Sequence, residues 1–259
     1  VTGEQLWQSC KRSNMYRFFV EQPQIGEETI TITGEDVNHI KNVLRMKVGE
    51  TILVSDGEDR EYICKISDFS NDEVQAKIQD INGETRELPT EVTLFQALPK
   101  GDKMETIIQK MVELGACEIA PVSTKRCIVK LDAKKAESKV RRWNAIAESA
   151  AKQSKRGIIP KVLMPVSFAQ ALDRAKDMDM VLIPYEEAEN MSVTREVFSE
   201  IKPGMKIGIF IGPEGGFAES EVEEAKKIGA RAITLGRRIL RTETAGMATM
   251  SVLMYLMEE

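Results

Sequence analysis

From Met15 to about Leu88 the apolar and polar residues alternate in short runs closed by turn residues. Glu28 to Thr33 alternates through TITIT, and Thr51-Ile52-Leu53-Val54-Ser55 runs into an Asp56-Gly57 turn. Tyr62 to Ile66 and Val74 to Ile78 repeat the period of two expected of a half-buried strand. One helical stretch interrupts them, Glu35 to Leu44, with Val37, Ile40 and Leu44 on one face. Five or six short strands at near-regular spacing predict a β-barrel of about 70 residues. The polar, turn-rich segment from Asn82 to Pro89 predicts a linker. Residues 1–14 show neither period; they read as a tag remnant or a misassigned start and stay outside fold reasoning.

After Pro89 the grammar changes. Strands are expected at Val92 to Ala97, Ile119 to Val122, Val181 to Pro184, Lys206 to Ile211 and Ala232 to Leu235. Helices are expected at Lys103 to Gly115, ending on a glycine, and at Ala133 to Ser154, with Asp132 as N-cap. In the long helix Ala136, Val140, Trp143, Ala147 and Ala151 form one stripe, and Lys135, Lys139 and Arg142 another. A charged, helix-forming segment, Glu219 to Lys227, follows a glycine-rich turn. Strands alternating with helices predict an α/β fold, a parallel sheet with helices on both faces. The last segment, Thr244 to Leu256, is apolar nearly all round. A helix of that kind needs cover on several sides, which points to a subunit interface.

Composition narrows the class. In 259 residues, 42% are hydrophobic and 30% charged, an ordinary globular balance. No apolar run nears the roughly 20 residues that span a bilayer. Neither a signal-peptide pattern nor a metal-ligand spacing among the four cysteines and the lone His39 is present. A cytoplasmic, reduced, metal-free protein is therefore expected. The formal charge of −5 argues against general stickiness toward nucleic acid. Between Pro121 and Lys161, however, twelve Lys and Arg face three acids, a local +9 within a chain otherwise at −14. Such a segment suits a specific polyanion site, and equally a solvated helix face.

Familiar cofactor loops are missing. There is no GxxxxGK[ST] and no GxGxxG after an early strand, which disfavours P-loop and dinucleotide-binding folds. A GxSxG elbow is absent too, and His39 lies in the first domain, so Ser-His-Asp chemistry is disfavoured. His39 reads as packed or RNA-facing. Two unusual loops remain, each between a strand and a helix: Ile211-Gly-Pro-Glu-Gly-Gly-Phe217 and Leu235-Gly-Arg-Arg-Ile-Leu-Arg-Thr-Glu-Thr-Ala245. Both are expected at the carboxyl edge of the sheet, where ligands bind. Pro213 has no N–H and Glu214 would repel a phosphate. An uncharged or cationic ligand approaching the glycine backbone fits better.

MYRFFV, NHIKNVLR (38–45), LPKGDKME (98–105), ELG (113–115), RRWNAIAESAAKQSKR (141–156), IGPEGGF and LGRRILRTETA, in this order, resemble the RsmE family. These SPOUT-class methyltransferases methylate N3 of one uridine of 16S ribosomal RNA. The resemblance implies a PUA-like RNA-binding barrel (15–88) and a SPOUT domain (89–259) whose C-terminal chain forms a trefoil knot. It also implies a homodimer through the SPOUT domain, with 16S rRNA in the small ribosomal subunit as substrate. S-adenosylmethionine is expected against Leu182, Pro184, Tyr185, Gly212, Pro213, Glu214, Gly215, Gly216, Leu235, Gly236, Ile239, Leu240 and Ala245. Ala218 departs from the family's Ser or Thr; a lost cap would cost on the order of 1 kcal/mol, partly offset by Glu219 and Glu221 at the helix dipole.

Methylation at N3 requires loss of the imide proton, so charge stabilisation and orientation are the protein's tasks. Arg241 and Arg126 are the candidates for that role, with Glu243 as candidate base. Both arginines could instead be structural, paired to Glu243 or Glu214. Arg17, Arg45, Lys100, Lys103, Lys135, Lys139, Arg142, Lys152, Lys155 and Arg156 are the expected RNA phosphate contacts. A methyltransferase acting on tRNA, or an RNA-binding module without catalysis, are the alternatives.

Overall fold

A computed structural model describes residues 15–57, 60–82, 86–186, 188 and 190–258. The tag reading of residues 1–14 and part of the expected linker, 83–85, lie outside them. The chain divides into two compact units. One is formed by the chain as far as Glu87 together with Lys155–Ile158; the other is Leu88–Ser154 with Ile159–Glu259.

The first unit is a five-stranded sheet. Strands β1 (Arg17–Phe19), β2 (Thr29–Thr33), β3 (Thr51–Ser55), β4 (Glu61–Phe69) and β5 (Glu73–Asn82) lie in the order β1-β3-β4-β5-β2. Pairing is antiparallel except for β1 on β3. Alternation holds where it was clearest: Ile30 and Ile32 of β2 point into a core with Phe18, Ile52, Val54, Tyr62, Ile66 and Val74. It fails in β3, where every residue from Ile52 to Ser55 is buried. Here Lys155–Ile158 supplies partners: Ser55 Oγ donates to the Gly157 carbonyl at 2.6 Å, and Gly57 bridges Ile158. The expected helix is α1 (Glu35–Asn38) continued by a π turn, His39–Val43, in which the Leu44 amide reaches the His39 carbonyl. Val37 and Ile40 are buried, and exposed His39 meets the Phe18 ring edge-on at 6.2 Å between centroids. Cys64 is fully buried, and burial pushes its thiol up to about 12, beyond nucleophilic use.

Two expected RNA contacts are corrected in this unit. Arg17 is ion-paired with Glu61, both side chains 4% exposed, and its Nη1 donates to the Arg156 carbonyl at 2.7 Å. Arg156 is ion-paired with Glu87 and is likewise buried. Burial lowers the Arg17 pKa while Glu61 opposes the shift. A buried guanidinium held by a carboxylate fixes the fold and is out of reach of a phosphate.

The second unit is a parallel sheet. Its strands are β6 (Glu91–Ala97), β7 (Glu118–Ser123), β8 (Lys161–Val162), β9 (Val166–Ser167), β10 (Met180–Pro184), β11 (Lys206–Ile211) and β12 (Arg231–Ile233). The order is β12-β10-β11-β6-β7-β8, with β9 also beside β7. Between them run α2 (Lys103–Glu113), α3 (Ala133–Ser154), α4 (Phe168–Ala175), α5 (Met191–Ser199), α6 (Glu219–Lys227) and finally α7 (Thr242–Met257). Asp132 Oδ1 accepts from the Lys135 amide at 2.8 Å, which caps α3 as expected. Its buried stripe is Ala136, Trp143, Ala147, Ala150 and Ala151; Val140 is only half-buried. Strand β12 stops at Ile233, short of the expected Leu235, which belongs to the following loop. Stacked Phe95 and Phe210, 4.4 Å between centroids, hold the centre of the sheet. Helix α7 buries Gly246, Thr249, Met250 and Leu253 but leaves Val252, Tyr255 and Leu256 exposed. No described helix is long and apolar enough to cross a membrane.

Candidate active site

Because β10, β11 and β12 are parallel neighbours, the loops leaving their carboxyl ends meet at one edge. Together with Lys103 and the start of α7 they line a cavity of about 700 Å³, large enough for a nucleoside with an amino-acid arm. The first wall is Pro184, Tyr185 and Glu186 after β10; the Tyr185 amide donates to the Ile233 carbonyl and ties this loop to β12.

The second wall is the glycine loop after β11. Its Gly216 amide closes a turn on the Pro213 carbonyl at 2.9 Å. Gly216 sits at φ +66°, and a Cβ on Gly212 would lie 3.2 Å from the Gly216 carbonyl carbon and the Phe217 nitrogen. Gly216 is therefore favoured by its backbone conformation, and Gly212 by close packing. Glu214 is tied into the cavity wall: Oε1 accepts from Lys103 Nζ at 2.9 Å and from the Lys100 amide at 3.0 Å. Arg126 braces the far side, Nη1 donating to the Gly215 carbonyl at 2.8 Å.

At the start of α6 Ala218 supplies no side-chain cap, and only the glutamate half of a capping box is present. Glu221 is 1% exposed; its carboxylate accepts from the Ala218 amide at 2.9 Å and from the Lys125 amide at 2.8 Å. It satisfies the N-cap N–H as the glutamate of a capping box does. The side-chain cap is absent at Ala218, as expected, while Glu221 ties the Ala218 amide to the first turn.

The third wall is Thr234 to Arg241, opened by Gly236 at φ +105°. A buried polar relay joins it to the sheet. Gln96 Nε2 donates to Thr242 Oγ1 at 2.9 Å, and that hydroxyl donates to the Gly212 carbonyl at 2.7 Å. The last helix and the glycine loop are thus held in register by one threonine.

Of the expected cofactor residues, all line the cavity except Leu182, which is fully buried inside β10. Of the three catalytic candidates only Arg241 lines it, exposed at the head of α7. Arg126 contacts the loop from behind, a positioning role. Glu243 lies in the first turn of α7, its Oε2 3.5 Å from Lys103 Nζ. The suggested pairing of the two arginines with Glu214 or Glu243 is also corrected: Lys103 takes both carboxylates. Lys103 is accordingly part of the cavity wall, a role that sequence reasoning missed, along with Ile211, Phe217, Thr234, Arg237, Arg238 and Thr242. The two arginines stood in the quoted LGRRILR run and could have been found by their position. The Thr242 relay spans Gln96 and Gly212 and had no local signal.

The basic track is less free than composition suggested. Lys135 pairs with Asp132, Arg142 with Glu105 at 2.7 Å and Lys152 with Glu148 at 3.0 Å. Lys139 lies 5.9 Å over the Trp143 ring. In the first unit Arg45 and Lys155 are exposed, each with a left-handed backbone, φ 54° and 61°.

Burial alone would push Glu214 up. Hydrogen bonds from Lys103, its own amide and the Lys100 amide outweigh that and hold it below the ordinary carboxylate value of 4.5. A depressed folded pKa contributes stability above the unfolded value that is lost as pH falls through the folded one. Order in the glycine loop, read by amide exchange, should hold above pH 4.5 and decline below it. Lys103→Met should weaken that dependence, with the Glu214 and Lys100 amides still holding the carboxylate.

A cradle of bare glycine backbone, a proline without N–H and a tied-off glutamate suit a nucleoside without phosphates, and an arginine stands beside it. A family model for an RNA methyltransferase domain matches residues 86–254, and one for an RNA methyltransferase PUA domain matches 32–79. The chain belongs to the ribosomal RNA small subunit methyltransferase E family. It is 42% identical to the Bacillus subtilis member over 94% of this chain and 98% of that one, and 39% identical to that of Mesomycoplasma hyopneumoniae, over 89% and 95%. A solved Neisseria gonorrhoeae member, bound to S-adenosyl methionine, superposes with a TM-score of 0.81 at 33% identity, covering 94% of this chain and 98% of that one.

Proposed function

We propose that the protein transfers a methyl group from S-adenosylmethionine to N3 of one uridine in 16S rRNA of the small ribosomal subunit. The observation that carries this reading is the three-walled glycine cavity with Arg241 at its rim, in a chain similar to small-subunit methyltransferases over nearly its whole length. The cofactor would be held by the Pro184–Glu186 and Gly212–Gly216 loops and by Leu235, Gly236, Ile239 and Leu240. When bound, it supplies an electrophilic methyl on a sulfonium sulfur.

Arg241 stabilises the uracil anion as N3 loses its proton. Glu243, in the first turn of α7 beside Lys103, is the proposed proton acceptor and, since it does not itself line the cavity, would take the proton through one intervening water. The N3–carbon bond forms as the sulfur–carbon bond breaks. Since N3 lies on the pairing edge, the target base must be unpaired or flipped out. The reading includes the trefoil threading that the family resemblance implies and a cytoplasmic site of action. It also includes a homodimer, favoured by the exposed Val252, Tyr255 and Leu256 face of α7.

The test is methyl transfer from labelled cofactor to small subunits, naked 16S RNA and tRNA in parallel, followed by nucleoside analysis. Label is expected as N3-methyluridine in the ribosomal samples. Label found only in tRNA, or on a ribose, would sink the proposal.

A further inference from the structure

Four of the arginines expected or found near functional positions are occupied. Arg17, Arg142 and Arg156 are ion-paired and Arg126 holds the Gly215 carbonyl. Arg237 and Arg238 differ. Both are exposed, both line the cavity mouth, and neither has an ion pair or hydrogen bond among the described residues. The next residue, Ile239, is 88% exposed, the most exposed large apolar side chain described. The loop carrying them is pinned at its base: Thr194 Oγ1 accepts from the Thr234 amide, the Gly236 amide donates to Thr234 Oγ1, and Thr242 closes the other end. Two unpaired guanidinium groups and a bare isoleucine are thus presented outward on an anchored loop. An unburied apolar side chain between unpaired cations suits a ligand that is anionic along its backbone and flat and apolar between its charges. Single-stranded nucleic acid has that chemistry.

We propose that this loop is an RNA-gripping lip: Arg237 and Arg238 hold phosphates flanking the target nucleotide, and Ile239 packs against a base face beside it. The inference rests on the RNA methyltransferase reading and adds to it the surface that seizes the substrate at the cavity mouth. It moves the phosphate contacts from the ion-paired face of α3 to the site of chemistry itself. Ile239 also takes a distinct part, supporting a stacked base with its side chain, whatever its backbone does for the cofactor. An apolar side chain set against an unstacked base can hold it out of the helix.

The test compares the full-length protein with Arg237→Ala/Arg238→Ala and with Ile239→Ser. Binding to naked 16S RNA is measured across a salt series, methyl-transfer kinetics on the same RNA, and cofactor affinity by calorimetry. The double variant should flatten the log–log salt slope by about 1–2 while cofactor affinity stays within about twofold. Ile239→Ser should raise the KM for RNA on the order of tenfold, with the salt slope unchanged. An unaltered slope in the double variant overturns the lip. So does a loss of cofactor affinity as large as the loss for RNA, which would assign these arginines to the cofactor carboxylate. A change of oligomeric state by light scattering would show the loop covered by a second copy and would also overturn it. Wild-type protein that binds 16S RNA without methylating it would sink the proposed function alone. The variants' difference in RNA binding would still judge the lip.

Discussion

Gly216→Val is expected to weaken S-adenosylmethionine binding by roughly tenfold to a hundredfold while leaving the chain folded. Gly216 sits at φ +66°, a left-handed conformation that a β-branched side chain resists. The strain is on the order of 1–3 kcal/mol, and the loop can relieve it only by leaving the geometry of the cavity wall. Gly215→Ala is the control. A Cβ there would lie 3.5 Å from the Arg126 Cβ, an ordinary contact, and Gly215 has no positive φ. It should bind the cofactor nearly as well as the native protein. Calorimetry alongside circular dichroism separates the cases. Full cofactor affinity in the valine variant would mean the glycine loop does not hold the ligand.

Arg17→Met is expected to destabilise the protein by about 3–5 kcal/mol, because it strands a buried carboxylate without its countercharge. The carboxylate is Glu61, whose side chain is 4% exposed, like that of its partner. Removing Glu61 as well, in Arg17→Met/Glu61→Leu, should recover much of the loss, since two apolar groups of similar volume need no pairing. Urea denaturation measures both. The salt dependence of RNA binding should be unchanged wherever the variant remains folded. A flattened slope with native stability would instead return Arg17 to the RNA surface.

These two sites differ in how far the chain itself announces them. The glycine loop was legible because its chemistry is local. Gly212, Pro213, Glu214 and Gly216 lie within five residues, and the backbone demands of a tight turn are written in residue type. The long helix was legible for the same reason: its periodicity and the Asp132 cap are local, and its observed bounds, Ala133–Ser154, are those expected. Arg17 was misread because it stands in a short strand with an apolar neighbour on either side of its charge pattern. Nothing near it in sequence reveals that Glu61 will lie beside it. The basic count of the 121–161 segment misled similarly. A sum of charges over the segment records residue types and says nothing of the carboxylates of Glu105 and Glu87, outside it, that meet Arg142 and Arg156.

Periodicity also found its limit in β3. A period of two is a signature of one wet and one buried face, and β3 is buried from Ile52 through Ser55. Its partners there come from Gly157 and Ile158, about a hundred residues later. The Ala218 departure behaved in the same way. Counting the absent hydroxyl predicted a missing side-chain cap, which the structure shows, but not that Glu221, buried by the fold, would hold the Ala218 and Lys125 amides.

By itself the sequence determined the α/β class, the longer strands, the first and longest helices of the second unit, and the two loops that carry the chemistry, since each depends on residues close together in the chain. It did not show the two-residue strands β8 and β9. Tertiary structure alone decided which arginines are free and which are buried in ion pairs. It decided that Lys103 ties Glu214 to Glu243, and that Thr242 links Gln96 to Gly212. The physical reason is the same throughout. Conformational preference is a property of neighbouring residues, but the state of a charge or a hydroxyl is set by whatever the fold brings to within about 3 Å of it.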